Sequence, residues 1–400
     1  MKKIKLSIYS GLFILWISFQ LNAQVKTDFN NTERITLSGK FNKRYQQLKS
    51  SIIPARDIQS LLRRDSLDDL TPEPKPYRIA EPISADIDVV KNAAWIQDES
   101  YAYGKYTIYA QGAKSISVNF DQFKLPKGTE LYIYNKEGEM ISGPVSELET
   151  NEENTWGTWV YKGDELTLDF RVPLQATDSL SLHIDNVAYG YKDIYRTEVG
   201  GFGDSSPCNV NVLCPLGNGW GEETNSVALI LNSNGSAMCS GALINNTCNL
   251  NIPYFLTANH CFTSNSNVGG WRFTFQAWSP TCSPTQNANG ITFFGSTLRA
   301  RNAGSDFCLV ELNQAIGSSS GLTYAGWSRN TNGIQQTTII HHPAGDVMKI
   351  SRDNQPPVFD NFQNAQVWRL VLDQGATNGG SSGGLTLIRI IELLPNITGL

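Results

Sequence analysis

Pro253-Tyr254-Phe255-Leu256-Thr257-Ala258-Asn259-His260-Cys261-Phe262 reads as a buried strand that delivers a histidine at its end, with a cysteine beside it. A general base needs such fixing, because proton transfer requires its nitrogen within hydrogen-bond reach of the group it serves. A histidine at a strand end is, taken alone, more often structural than catalytic. The stretch gains its meaning from two segments further along the chain.

In Gly304-Ser305-Asp306-Phe307-Cys308-Leu309-Val310-Glu311-Leu312 a carboxylate stands at the mouth of an apolar strand. Such an aspartate can hold one imidazole nitrogen and stabilise the imidazolium formed during attack, although an ordinary strand-initiating aspartate looks the same. In Asn378-Gly379-Gly380-Ser381-Ser382-Gly383-Gly384, glycines flank a serine. They let the backbone turn tightly, expose the hydroxyl and aim the amides of Gly380 and Ser382 at a developing oxyanion. A Gly-Ser linker would have similar composition, but Val367-Trp368-Arg369-Leu370-Val371-Leu372 runs into this segment as a strand. The order histidine, aspartate, serine is that of the chymotrypsin arrangement and differs from subtilisin and the α/β-hydrolases. Ser382 is read as nucleophile, His260 as general base, Asp306 as orienting carboxylate, and Gly380 and Ser382 as the oxyanion hole.

Around these segments the chain divides. Four hundred residues exceed one ordinary domain. With 34 glycines, 10 % aromatics and many Thr, Ser and Asn, short strands joined by turns are expected rather than long helices. Residues 1–23 carry Lys2, Lys3 and Lys5, a short apolar core and Ala23 before the cut, the pattern of a signal peptide. Residues 24–76 form a polar segment ending in the extended Pro72, Pro74, Pro76 linker. Within 77–196, period-two runs (Ile116, Val118, Phe120; Leu131, Ile133; Leu166, Leu168, Phe170, Val172; Leu180, Leu182, Ile184) predict a β-sandwich. Basic residues and a Gly-Ser stretch near 191–207 make an exposed linker, with Lys192 and Arg196 as candidate cut sites. Residues 197–400 are the third, strand-rich unit. The net charge of -5, with 32 basic and 37 acidic residues, argues against a nucleic-acid partner.

The third unit resembles trypsin-like serine endopeptidases. Cys239-Ser240-Gly241-Ala242-Leu243-Ile244 followed by Phe255-Leu256-Thr257-Ala258-Asn259-His260-Cys261 is similar to the paired strands before their catalytic histidine. Asp306-Phe307-Cys308-Leu309-Val310-Glu311-Leu312-Asn313, Ile340-His341-His342-Pro343 and Gly380-Ser381-Ser382-Gly383 resemble the bacterial lysyl endopeptidase branch, and unit 77–196 resembles its propeptide. The resemblance implies a chymotrypsin-like double β-barrel made as a secreted zymogen. Protein or peptide substrates follow, cut after lysine, with the chain's own propeptide as intramolecular partner and no membrane partner once the signal is removed. It also implies the disulfides Cys239–Cys261 and Cys214–Cys282. The mechanism requires no metal or organic cofactor.

Further expectations follow from the remaining residues. Seven cysteines, all between Cys208 and Cys308, leave one without an internal partner, and a third bridge between Cys248 and Cys308 is expected. His341 and His342 are read as a structural turn, since adjacent histidines before a proline lack the i, i+4 spacing of a zinc helix. Trp271, Phe273, Phe275 and Trp278 are read as core. The run from Leu385 to Leu394 shows neither turn nor strand alternation. It lacks the continuation that the family shows after the nucleophile, so the second barrel is expected to be incomplete at its C-terminus and 385–400 to be a frameshift product. The alternative function is a catalytically inactive pseudoprotease or a secreted β-sandwich adhesion protein.

Overall fold

The computed structural model describes residues 25–28, 49–71, 75–195, 205–248, 250–262, 268–283, 285, 290–328, 332–362 and 365–390. The signal segment 1–23, Arg196 and residues 391–400 lie outside this set.

The alternating runs of the first unit fold into two facing sheets. One contains Tyr101–Ala110, Glu165–Pro173, Glu130–Asn135 and Ile141–Val145 in that order, with Ser50–Ile53 parallel to its first strand. The other contains Ala80–Asp88, Ser181–Gly190 and Ser115–Lys124. Ile116, Val118, Leu131, Ile133, Leu166, Leu168, Phe170, Val172 and Ile184 are all fully buried between them. Period-two alternation thus places one apolar face of each sheet against the other, the definition of a sandwich.

The polar segment is more structured than its composition predicts. Ile58–Asp68 is a helix capped by Asp57, whose side chain accepts from the Ser60 amide at 3.1 Å. Its buried residue is a carboxylate, Asp65, which gathers Arg78 Nε (2.9 Å), the Tyr191 hydroxyl (2.8 Å) and Lys192 Nζ (2.8 Å). Lys192 also lies 4.1 Å over the Tyr77 ring, and its side chain is only 13 % exposed. This corrects the reading of Lys192 as part of an exposed, cuttable linker.

The second unit begins with a closed barrel. Its strands run Ile291–Phe294, Arg272–Phe275, Val227–Leu231, Ala237–Leu243, Tyr254–Ala258, Phe307–Leu312 and Ser296–Asn302. The first and last of these are consecutive in sequence, separated only by Gly295 at φ 77°, so one bent stretch closes the sheet on itself. Leu243, Phe255, Trp271, Phe273, Phe275, Phe293, Cys308 and Val310 fill it. Trp278 instead packs against a second cluster of Val212, Trp220, Ile340, Met348 and Ile350.

That second cluster lines a curled four-stranded half-barrel of Val210–Asn211, Lys349–Asp353, Ile334–His341 and Leu385–Ile390. The segment 385–390, in which the sequence shows no strand alternation, is thus a strand, pairing Leu385 with Ile340 and Leu387 with Thr338. Leu385 and Leu387 pack on the buried cluster, and this apolar contact supplies what alternation did not. The expected 367–372 strand is displaced to Ala365–Arg369, paired with Val358–Phe362 and topped by Phe359 stacked on Trp368 at 3.7 Å.

Two disulfides are present, Cys214–Cys282 and Cys239–Cys261. The expected Cys248–Cys308 bridge is not. Cys308 points into the closed barrel, fully buried, whereas Cys248 sits exposed on a turn. Burial pushes the Cys308 thiol up to about 11, so it is an inert core side chain.

The sandwich and the closed barrel are in direct contact. Val25–Asp28 pairs with Ile141–Val145 of one and Ile291–Phe294 of the other. Arg272 of the barrel, fully buried, donates to the carbonyls of Asn232 (2.7 Å) and Ser233 (3.0 Å) in its own unit. Its second terminal nitrogen reaches Asn119 Oδ1 of the sandwich. A Cβ at Gly157 would lie 1.5 Å from that nitrogen, so only glycine lets the guanidinium pass. Nearby, Glu149 of the sandwich accepts from Gln314 Nε2 of the barrel at 2.7 Å.

Burial raises the Glu149 carboxyl from its ordinary 4.5 to about 7. The folded chain therefore holds this proton more tightly than the unfolded one, and stability falls as pH rises from about 4.5 to about 7, then levels. The shift corresponds to about 3 kcal/mol at its upper bound. Glu149→Gln is expected to match the parent in thermal melts below about pH 4 and to exceed it increasingly from there up to pH 7. A melting difference that does not change with pH would contradict this.

Candidate active site

His260 follows the strand Tyr254–Ala258 on a short turn, and the disulfide from Cys261 to Cys239 ties that turn to the neighbouring strand Ala237–Leu243. Asp306 reaches it from the loop before Phe307–Leu312, the strand on the other side. The Asp306 backbone is left-handed, φ 50°, a conformation unfavourable for a side chain of this kind by roughly 1 kcal/mol. Three contacts hold it there. Its carbonyl accepts from the Asn259 amide (3.0 Å), Oδ1 from the His260 amide (2.9 Å) and Oδ2 from His260 Nδ1 (2.7 Å). The bond to Nδ1 places that ring proton on the carboxylate side and leaves Nε2 as the acceptor. Among the described residues, buried Nε2 has no hydrogen-bond partner.

The third segment docks on the edge of Ala237–Leu243. The Ser240 amide donates to the Ser382 carbonyl at 2.8 Å, and Ser240 Oγ donates to the Gly380 carbonyl at 2.8 Å. A side chain at Gly383 would stand 2.3 Å from the Ser240 carbonyl and the Thr257 hydroxyl, so the approach depends on glycine. Gly380 is left-handed at φ 91°. Between the two expected oxyanion donors, the Ser381 amide is turned away and donates to the Asn378 carbonyl. The three predicted segments, 46 to 122 positions apart, therefore meet around Ser240 and the Cys239–Cys261 bridge.

Sequence reasoning missed the supports of this loop. His341 and His342 are both fully buried. His341 Nδ1 is 2.8 Å from Ser381 Oγ, and its Nε2 is 3.1 Å from Ser351 Oγ. The His342 amide donates to Ser240 Oγ (2.8 Å), while His342 Nδ1 donates to the Asp346 carbonyl (2.9 Å). Burial pushes His341 down to about 3 and His342 down to about 4, so both rings stay neutral and act as fixed hydrogen-bonding struts. Their spacing offered no signal, because the partner Ser381 lies 40 residues away. A cluster of Cys239, His260 and Cys261 has ligand-like proximity, but both sulfurs are spent in the disulfide.

Residues 202–390 match the family described as lysyl endopeptidase, C-terminal domain. The lysyl endopeptidase of Pseudomonas aeruginosa PAO1 is 28 % identical over 301 residues, which cover 70 % of this chain and 64 % of that protein. The chain thus spans somewhat under two thirds of that relative's length. Two crystal structures of the Mycobacterium tuberculosis H37Rv protease Rv3671c in its inactive form, one of them a serine-to-alanine mutant, are distant matches. They have TM-scores of 0.30, identities of 12 % and 11 %, and cover 46 % of this chain and 80 % and 77 % of theirs. The family match and the curated relative agree with the motifs at 239–261, 306–313 and 380–383, and residues 202–390 are similar to proteases of the lysyl endopeptidase type.

Proposed function

We propose that this chain is the precursor of a secreted serine endopeptidase that cuts peptide bonds through an acyl-enzyme on Ser382. The observation that carries the reading is the 2.7 Å bond between His260 Nδ1 and Asp306 Oδ2, which leaves Nε2 free to accept a proton, while the adjacent Cys261 Sγ lies 4.0 Å from the Ser382 carbonyl. His260 Nε2 takes the Ser382 proton as Oγ attacks the scissile carbonyl, and Asp306 stabilises the resulting imidazolium. The Gly380 and Ser382 amides donate to the oxyanion. His260 then returns the proton to the leaving nitrogen, and water releases the acyl group by the reverse sequence.

Lysine on the acyl side of the cut bond is what the relative's name supports, and unfolded or exposed peptide segments are the substrates. Export through 1–23 and inhibition by unit 77–196 complete the reading. The contacts of Arg272 and Gln314 of the barrel with Asn119 and Glu149 of the sandwich support such an intramolecular partner. No helix among the described residues is long and apolar enough to cross a membrane.

Labelling with a fluorophosphonate tests the proposal. The chain cut within 196–204 is expected to label on Ser382, and Ser382→Ala to remain unlabelled. Equal absence of label in both would return the protein to the non-catalytic, adhesive reading.

A further inference from the structure

We propose that Pro76 and Tyr77 close the leaving-group side of the active site from within the chain, as a substrate mimic that proline protects from cleavage. This rests on the serine protease reading above.

One edge of the strand Ala237–Leu243 carries three occupants in succession. Ala237 and Met238 pair with Arg78 and Tyr77, Ser240 bonds the loop holding Gly380 and Ser382, and Ala242 and Leu243 pair with Leu256 and Phe255. The pairing with Tyr77–Arg78 is antiparallel, so the chain preceding Tyr77 runs toward Ser240. The two residues before Tyr77, Pro76 and Lys75, are thus led toward Cys239 and Ser240, whose amide donates to the Ser382 carbonyl. The Lys75–Pro76 bond is therefore the one this strand presents to the nucleophile. Extended peptides bind sheet edges in this way.

Independent contacts lock the segment there. A Cβ on Gly379 would be 3.3 Å from Tyr77 Cδ2, which places the tyrosine ring against the nucleophile loop. The Ile79 amide donates to the Ser236 carbonyl at 2.8 Å, and Arg78 is held from behind by Asp65 and Asp68. The Lys75 ammonium turns back to Asp69 Oδ1 at 3.4 Å and to the Asp68 carbonyl, so the block rests on backbone and Tyr77 rather than on the lysine side chain.

Cutting here would form a bond from Ser382 Oγ to the Lys75 carbonyl carbon and break the bond to the residue 76 nitrogen, which must take the proton carried by His260. In proline that nitrogen has no hydrogen, and its ring carbon stands in the approach path. Pro76→Ala removes the shield and leaves the pairing intact.

In the full chain, Pro76→Ala is expected to yield a new N-terminus at residue 76, read by intact mass and terminal sequencing. Neither the parent nor Pro76→Ala combined with Ser382→Ala should show it. A tethered segment acts at an effective concentration of roughly millimolar, so even a weak intrinsic affinity of about 0.1 mM slows fluorophosphonate labelling of the uncut chain about tenfold. Tyr77→Gly is expected to recover that factor. If the chain cut within 196–204 labels while Pro76→Ala stays whole and Tyr77→Gly labels at the parent rate, the mimic is wrong and the protease reading stands. If the cut chain never labels, the protease reading itself fails.

Discussion

On the proposed function, Ser382→Ala in the fragment freed by a cut within 196–204 is expected to lower kcat by about a millionfold, the scale seen when a nucleophile that acts in concert with its base is removed. The reason is geometric. Nε2 of His260 can accept a proton only because Nδ1 is committed to Asp306, and the chain offers Nε2 no other partner among the described residues. His260→Ala should cost nearly as much, and the double variant hardly more, because the two side chains perform one proton transfer. Asp306→Asn is expected to cost about ten-thousandfold, since an amide can donate to Nδ1 and so favour the wrong tautomer. Steady-state kinetics on a lysine ester would measure all four. Additive losses in the double variant would show that His260 and Ser382 do not form a unit.

The second large effect concerns folding of the precursor. Replacing Arg272 by leucine is expected to destabilise the full chain by about 3–5 kcal/mol, because the Asn232 and Ser233 carbonyls and Asn119 Oδ1 would lose donors inside a region closed to water. Burial lowers the Arg272 guanidinium to about 9, so it remains cationic at neutral pH, and each of its hydrogen bonds is charge-assisted. Arg272→Lys should recover only part of the loss, for an ammonium cannot span the fork that bridges the two units. Urea denaturation of the full chain reads this directly. A loss under about 1 kcal/mol would mean that water replaces the guanidinium in the gap.

Residues that must repeat at short intervals were legible in the sequence. Sandwich strands announce themselves through Leu166, Leu168, Phe170 and Val172, and the segment 378–384 through glycines that only a tight approach requires, as Gly383 against Ser240 shows. Residues whose role depends on a distant partner were not. Arg272 carries no local mark of its role, because its partner Asn119 lies 153 positions earlier. The helix Ile58–Asp68 turns a carboxylate inward, so no apolar face marks it, and Asp65 is buried only because Arg78, Tyr191 and Lys192 meet there. Cys248 and Cys308 flank the His260 and Asp306 segments in the sequence, which suggests a bridge, whereas the barrel interior claims Cys308 as an apolar side chain. His341, read as part of a turn, ends the strand Ile334–His341, and its bond to Ser381 depends on a loop that only the fold brings near.

The strand Val25–Asp28, hydrogen-bonded to both units, changes what a cut in the linker would accomplish. Severing the chain within 196–204 removes one covalent tie and leaves this pairing, the Arg272 plug and the Tyr77 strand in place. The immediate product is a nicked two-chain complex, whose release is a matter of half-life and dilution. Activity would then lag behind proteolysis, and at high local protein concentration the freed fragment would rebind its own enzyme.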